Sequence, residues 1–175
     1  MSNPPLQWFI DVHSVHAPLS LSYEANKREL EALQSYAEVE DVTSFTSEVR
    51  VSPLSAGKFK VEGRLKADAV QASIVDLSAV PAAIDETFSV EFWPQELIEE
   101  NTGEDVSLAD EPPEPLAGGR IAIGEFLSEL FSVSLNPYPR NPDDKFSWEP
   151  VEQEPRVTPF AELAKLRQKK QMGDE

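Results

Sequence analysis

A chain of 175 residues, 40% of them hydrophobic, can bury one core and fits a single domain with appendages. The formal charge of −17 opposes a broad hold on phosphate backbones and makes a basic partner easier to attract. With no cysteine, disulfides, thiolate zinc sites and cysteine nucleophiles are excluded.

The start, MSNPPLQWFIDVHSV, lacks a basic region followed by a long apolar run, and no window approaches 18 apolar residues. The expectation is a soluble, cytoplasmic protein of a reduced compartment, with no membrane segment. Leu6 to Val15 mixes Trp8, Phe9, Ile10, Val12 and Val15, which suits a first strand. His13 and His16, with Asp11 close by, raise the question of a metal site. Three-residue spacing puts the two imidazoles on opposite faces of a strand, and no further ligand cluster joins them. No metal is expected there.

Leu21 to Ala37, LSYEANKRELEALQSYA, reads as a surface helix capped by Ser22, with Glu24 in its first turn. Tyr23, Leu30, Leu33 and Ala37 form its inward stripe, which Asn26 interrupts. Lys27, Arg28, Glu29 and Glu31 form a solvated face. From Val42 to Trp93 the period changes to two in four runs, TSFTSEVRVSPL, GKFKVEGRLKADA, VQASIVDLSAV and TFSVEFW. Ser55-Ala56-Gly57 suits a hairpin turn, while Pro81-Ala82-Ala83 and Asp85 separate the last two runs. Short strands with short connections predict an antiparallel meander with one face covered by helix.

Gln95 to Gly119 carries eight carboxylates, from Glu96 to Glu114, three prolines and no Lys or Arg. It buries too little apolar surface to offset its ordering entropy, which predicts a mobile or loosely held acidic loop. Its charge run reads either as a solvating linker or as a surface that attracts a cationic partner. No calcium-loop spacing is present.

Gly118 to Arg140, GGRIAIGEFLSELFSVSLNPYPR, is the stretch around which the chain is organised: a turn, a helix and a proline-locked exit. Ile123, Phe126, Leu127, Leu130, Phe131 and Val133 recur at helical spacing, leaving Glu125, Ser128, Glu129 and Ser132 on the other face. Asn136-Pro137 stops the helix. Pro137 and Pro139 then hold Tyr138 and Arg140 on a stiff extended segment, which is either a contact surface or a packed corner. Asn141 to Arg156 is a polar linker whose Trp148 either packs on the core or anchors a partner. Thr158 to Lys170, TPFAELAKLRQKK, is a short helix capped by Thr158, with Pro159 at its first position. Lys165, Arg167, Lys169 and Lys170 make its last turns basic, as the helix dipole favours, and are candidates for RNA contact.

The residues therefore predict an α+β fold in which an antiparallel β-meander is packed with a few helices. An irregular acidic insertion (about 95–119) and a short C-terminal helix complete it. Residues 1–140 form the domain and 141–175 the linker and basic helix. No phosphate loop, nucleophile elbow, or acid and base at a defined separation occurs. No enzymatic activity, catalytic residue or cofactor is expected.

The order of the central segment GRLKADAVQASIVDLSAVPAAIDETFSVEFWP, the acidic spacer, GGRIAIGEFLSELFSVSLNPYPRNP and TPFAELAKLRQKK resembles the YceD family. These are the large ribosomal RNA subunit accumulation proteins, and the chain looks most like their alphaproteobacterial branch. The resemblance covers about Glu24 to Lys170. Leu135-Asn136-Pro137-Tyr138-Pro139-Arg140 stands where that branch has Leu-Asp-Pro-Tyr-Pro-Arg, and Pro159-Phe160-Ala161 matches the family's Asn-Pro-Phe-Ala ending. Ser73 replaces a frequent cysteine, Ala122 a usual Asp, and Thr158 an Asn. The resemblance implies a non-enzymatic role in accumulation of large-subunit ribosomal RNA, through its processing or subunit assembly. The implied partners are the large-subunit RNA precursor, a basic large-subunit ribosomal protein, or both. Tyr138, Arg140, Lys165, Arg167, Lys169 and Lys170 are the candidate contacts. The rival reading is an acidic escort for a basic ribosomal protein that never touches RNA.

Overall fold

Three long antiparallel strands form the frame: β3 (Asp41–Pro53), β4 (Phe59–Ala72) and β5 (Ala79–Trp93). The computed structural model describes residues 4–100, 112–116 and 118–142. The other described strands are β1 (Ile10–Asp11), β2 (Leu19–Glu24), β6 (Glu114–Pro115) and β7 (Arg120–Ile121). The helices are α1 (Lys27–Ala37), α2 (Gln95–Glu100) and α3 (Ile123–Ser134). The main sheet has the order β2-β3-β4-β5-β6, antiparallel except for a short parallel β5–β6 contact; β1 and β7 pair separately. The α+β class expected from the sequence is what the chain adopts.

Alternation explains the frame. Val49 and Val51 of β3, Val61, Leu65, Ala67 and Ala69 of β4, and Ile84, Val90 and Phe92 of β5 all face the core. A register shift between Val42 and Ser44 keeps Val42 and Phe45 on the inner side, although three residues separate them. The helices cover this inner face, α1 against β3 and α3 against β4 and β5. Ile123, Leu127 and Phe131 of α3 are fully buried, each contributing about 1.5–3 kcal/mol of apolar burial. Phe131 meets Phe45 edge-on at 5.8 Å between ring centroids, and Phe126 lies 5.3 Å from Phe88.

Several sequence expectations are corrected. The first strand is not Leu6 to Val15: only Ile10–Asp11 pairs, and a 3₁₀ turn at Val12–Ser14 follows, capped by the Asp11 carboxylate. The Leu6–Trp8 stretch instead crosses the first turn of α3, where Gly124 N–H donates to Trp8 O at 2.9 Å. A Cβ at Gly124 would stand 2.8 Å from Trp8 N and collide with Leu6 O. The helix read from Leu21 begins only at Lys27, because Leu19, Leu21 and Tyr23 alternate in a strand. Its cap is Asn26, not Ser22. Asn26 Oδ1 accepts from Glu29 N–H, and a Glu29 carboxylate oxygen accepts from Asn26 N–H, a reciprocal capping box. Glu29 also accepts from the Tyr23 hydroxyl at 2.6 Å, beneath Trp8, whose ring stacks on Tyr23 at 4.6 Å. Burial first, and then this carboxylate, push the Tyr23 phenol above its ordinary value.

The four runs are three strands. The third run is divided between the end of β4 and the start of β5, with a turn at 73–78 between them. Pro81 lies inside β5 opposite Val70. Proline is tolerated there because β5 is paired beyond β4 only at Phe92 and Trp93, among the described residues, so no donor is required on the outer edge. The acidic stretch is not wholly irregular: Gln95–Glu100 is helical and Glu114–Pro115 pairs with Phe92–Trp93. Residues 101–111 lie outside the described residues. Among the described residues, no helix is long and apolar enough to cross a membrane.

Candidate interaction surface

The exit of α3 is anchored, not loose. Leu135 is already extended (φ −69°, ψ 147°), and Asn136-Pro137 continues away from the helix. Asn136 O accepts from the buried side chain of Gln71 at 2.9 Å, while its own Oδ1 accepts from Tyr138 N–H at 3.0 Å. Pro139 is buried and its carbonyl accepts from Ile74 N–H at 2.9 Å. Asn141 Nδ2 donates to Ser78 Oγ at 2.8 Å. Of the two alternatives the sequence left open, the packed corner is present: the segment is stapled to the turn between β4 and β5. Its fixation leaves Tyr138 70% exposed and Arg140 exposed beside it. Corner and display coexist here.

The turn that receives the exit is itself over-determined. Ser73 N–H donates to Ser78 O, and Leu77 N–H donates to Ser73 O. Val75 N–H donates to the buried Ser73 hydroxyl, and Ser78 donates to Asp76 Oδ1 from both its amide and its hydroxyl. Those Ser78 donors hold the Asp76 carboxyl below its ordinary value. Within this set of hydrogen bonds Leu77 occupies the left-handed region at φ 62° and is 80% exposed. A leucine tolerates that region poorly. Ile74 is 59% exposed and Val75 is exposed as well. These three apolar residues, on the turn whose Ile74 N–H binds Pro139 O, were missed in sequence, where they read as part of a strand. The available signal was a Ser-flanked apolar run containing Asp76.

Two residues on α3 also depart from their expected faces. Ser128, assigned to the polar face, is buried and donates its hydroxyl to Gly124 O at 2.7 Å. Val133, assigned to the apolar stripe, is 78% exposed. Glu125, Glu129 and Val133 therefore follow one another at four-residue spacing on the outward side of α3. Glu114 of β6 is near this line: burial, then Glu129 and Glu125, push its carboxyl above the ordinary carboxylate value. Ala122 occupies the N-cap of α3 and offers no side-chain acceptor.

No family model, curated protein or solved structure matches this chain. Lys165, Arg167, Lys169, Lys170 and Trp148 lie outside the described residues. The structure instead gathers Arg50, Lys60, Arg64 and Lys66 on the outer face of the sheet, beside an open cleft of about 580 Å³ that includes Arg50 and Arg64. Arg64 is held bidentately by Asp85 at 2.5 and 2.6 Å, and Lys60 meets Glu62 at 2.8 Å. That face is charge-balanced, not a basic strip. His13 is in the 3₁₀ turn and His16 is exposed. Among the described residues, no three His, Cys, Asp or Glu side chains converge as a metal site.

Proposed function

We propose that this protein is a non-enzymatic factor in the accumulation of large-subunit ribosomal RNA, engaging a precursor of that subunit through RNA or a basic ribosomal protein. The ribosomal assignment is what the family resemblance implies. The observation that supports a contact at the α3 exit is the stapled corner, where Tyr138 is exposed between backbone carbonyls bound by Gln71 and Ile74 and an Asn141 side chain bound to Ser78. Immobilised backbone lowers the ordering cost of a contact. The segment is also the one on which the family resemblance is most specific. Arg140 adds a guanidinium suited to phosphate or carboxylate.

A second reading, an escort that shields a basic ribosomal protein without touching RNA, is favoured by the crowding of Glu114, Glu125 and Glu129. The test is purification of tagged protein at low salt after ultraviolet cross-linking, with RNA and protein partners quantified together. Cross-links on large-subunit RNA that fall by about tenfold in a Tyr138→Ala, Arg140→Ala variant support the factor acting on RNA. Recovery of one basic ribosomal protein without RNA supports the escort. Recovery of neither overturns both.

A further inference from the structure

We infer that the corner formed by the β4–β5 turn and the α3 exit docks a cationic protein segment carrying an apolar anchor. The anchor rests on Ile74, Leu77, Tyr138 and Val133, and the cations of the segment lie along Glu129 and Glu125. This rests on the corner being a contact surface, but not on the ribosomal assignment.

Two independent observations meet in it. One is conformational: Leu77 is held at φ 62° with its side chain in solvent, although glycine or asparagine would suit that backbone better. A strained residue kept by an over-determined turn marks a site where the side chain matters more than the backbone. Ile74, Tyr138 and Val133 are exposed on the same turn, the exit stapled to it and the helix that leads there. The second is electrostatic. Val133 stands one helical turn beyond Glu129 and two beyond Glu125, about 6 and 12 Å along the axis. A partner with lysines or arginines at those distances from an aliphatic or aromatic side chain matches both halves. Relief of the repulsion around Glu114 would add to its hold. On the α3 side of the corner a nucleic acid fits poorly, since its phosphates would meet Glu125 and Glu129. Of the two partner classes proposed above, RNA and a basic protein, the corner therefore takes the protein. A second copy of the chain would bring the same carboxylates against themselves.

The probe is a labelled lysine-rich peptide of about 14 residues with two leucines at one end, titrated at low salt and followed by anisotropy and by amide shifts. Expected is saturable binding whose amide shifts concentrate at 73–78, 129–133 and 138–141. Leu77→Gly should weaken it about tenfold while leaving the melting temperature equal or higher. Glu125→Gln with Glu129→Gln should flatten its salt dependence. The inference is overturned by equal binding of the Leu77→Gly protein or of a peptide with serines for leucines. Shifts confined to the outer sheet face, tighter binding of oligouridylate, or no binding overturn it equally. Peptide docking at the corner with no large-subunit component recovered from cells would sink the ribosomal reading alone. Recovery of such components by a protein whose corner binds no peptide would sink this inference alone.

Discussion

The two hairpin turns at opposite ends of β4 solve the same problem with opposite residues. The β3–β4 turn uses Ala56 at φ 60° and Gly57 at φ 72°, small side chains where the backbone is left-handed. The β4–β5 turn puts Leu77 at φ 62° and surrounds it with exposed Ile74 and Val75. Chain reversal alone needs only the first solution. The second requires Ser73, Asp76 and Ser78 to hold the turn closed, and it carries the stapled exit of α3. The difference separates a turn that only closes a hairpin from a turn that also binds the α3 exit and leaves apolar side chains exposed.

The strongest way to break the comparison is to disturb the strand both turns share. Gly63 sits midway along β4 with the Phe88 ring over it. A Cβ there would lie 2.6 Å from Phe88 Cζ and collide with the Glu48 carbonyl. Gly63→Ala should cost about 3 kcal/mol, read from the denaturant midpoint, with amide protection falling at both turns together. Loss at one turn only would show that the hairpins are independent.

A pair of reciprocal substitutions sharpens it. Gly57→Leu should destabilise by about 1 kcal/mol, the left-handed penalty less the smaller entropy of the unfolded chain. Leu77→Gly should stabilise by up to about 1 kcal/mol, since the exposed side chain has little burial to lose. Thermal melts of both proteins measure the signs. A clear loss on Leu77→Gly would make Leu77 a packing residue and end the display reading.

The smallest effect is in acid. The Asp76 carboxyl is held below its ordinary value by the Ser78 donors. A depressed carboxyl stabilises the fold above the unfolded value, and that contribution is lost as pH falls through the folded one. The Ser78 amide signal should therefore move below about pH 4 in the native protein and stay flat in Asp76→Asn. Identical profiles would remove Asp76 from the device that holds the turn.

Much of the frame was legible because its information is local. The alternation of Phe59, Val61 and Leu65 and the recurrence of Ile123, Phe126, Leu127, Leu130 and Phe131 in α3 follow from the periods of strand and helix. The misreadings share a cause. Leu19, Leu21 and Tyr23 alternate over too few residues to separate strand from helix without β3 beside them. Pro81 reads as a break until the unpaired outer edge of β5 is known. The candidate surface was half legible: Tyr138 and Arg140 stand out between prolines. Ile74 and Leu77 do not, because nothing in ASIVDLSA says that the α3 exit, over sixty residues later, binds this turn.

By itself the sequence determined the α+β class, the place of the organising helix, the stiffness of Asn136–Arg140 and the anionic balance. Each is set by residues near one another in the chain. The tertiary structure alone decided that Ser128 is buried and Val133 is exposed, since helical spacing names faces but not what covers them. It alone decided that the proline-locked exit docks on the β4–β5 turn. Hydrogen bonds from Gln71, Ile74 and Asn141 span distances in the chain that no local pattern encodes, and they turn a stiff segment into a fixed display.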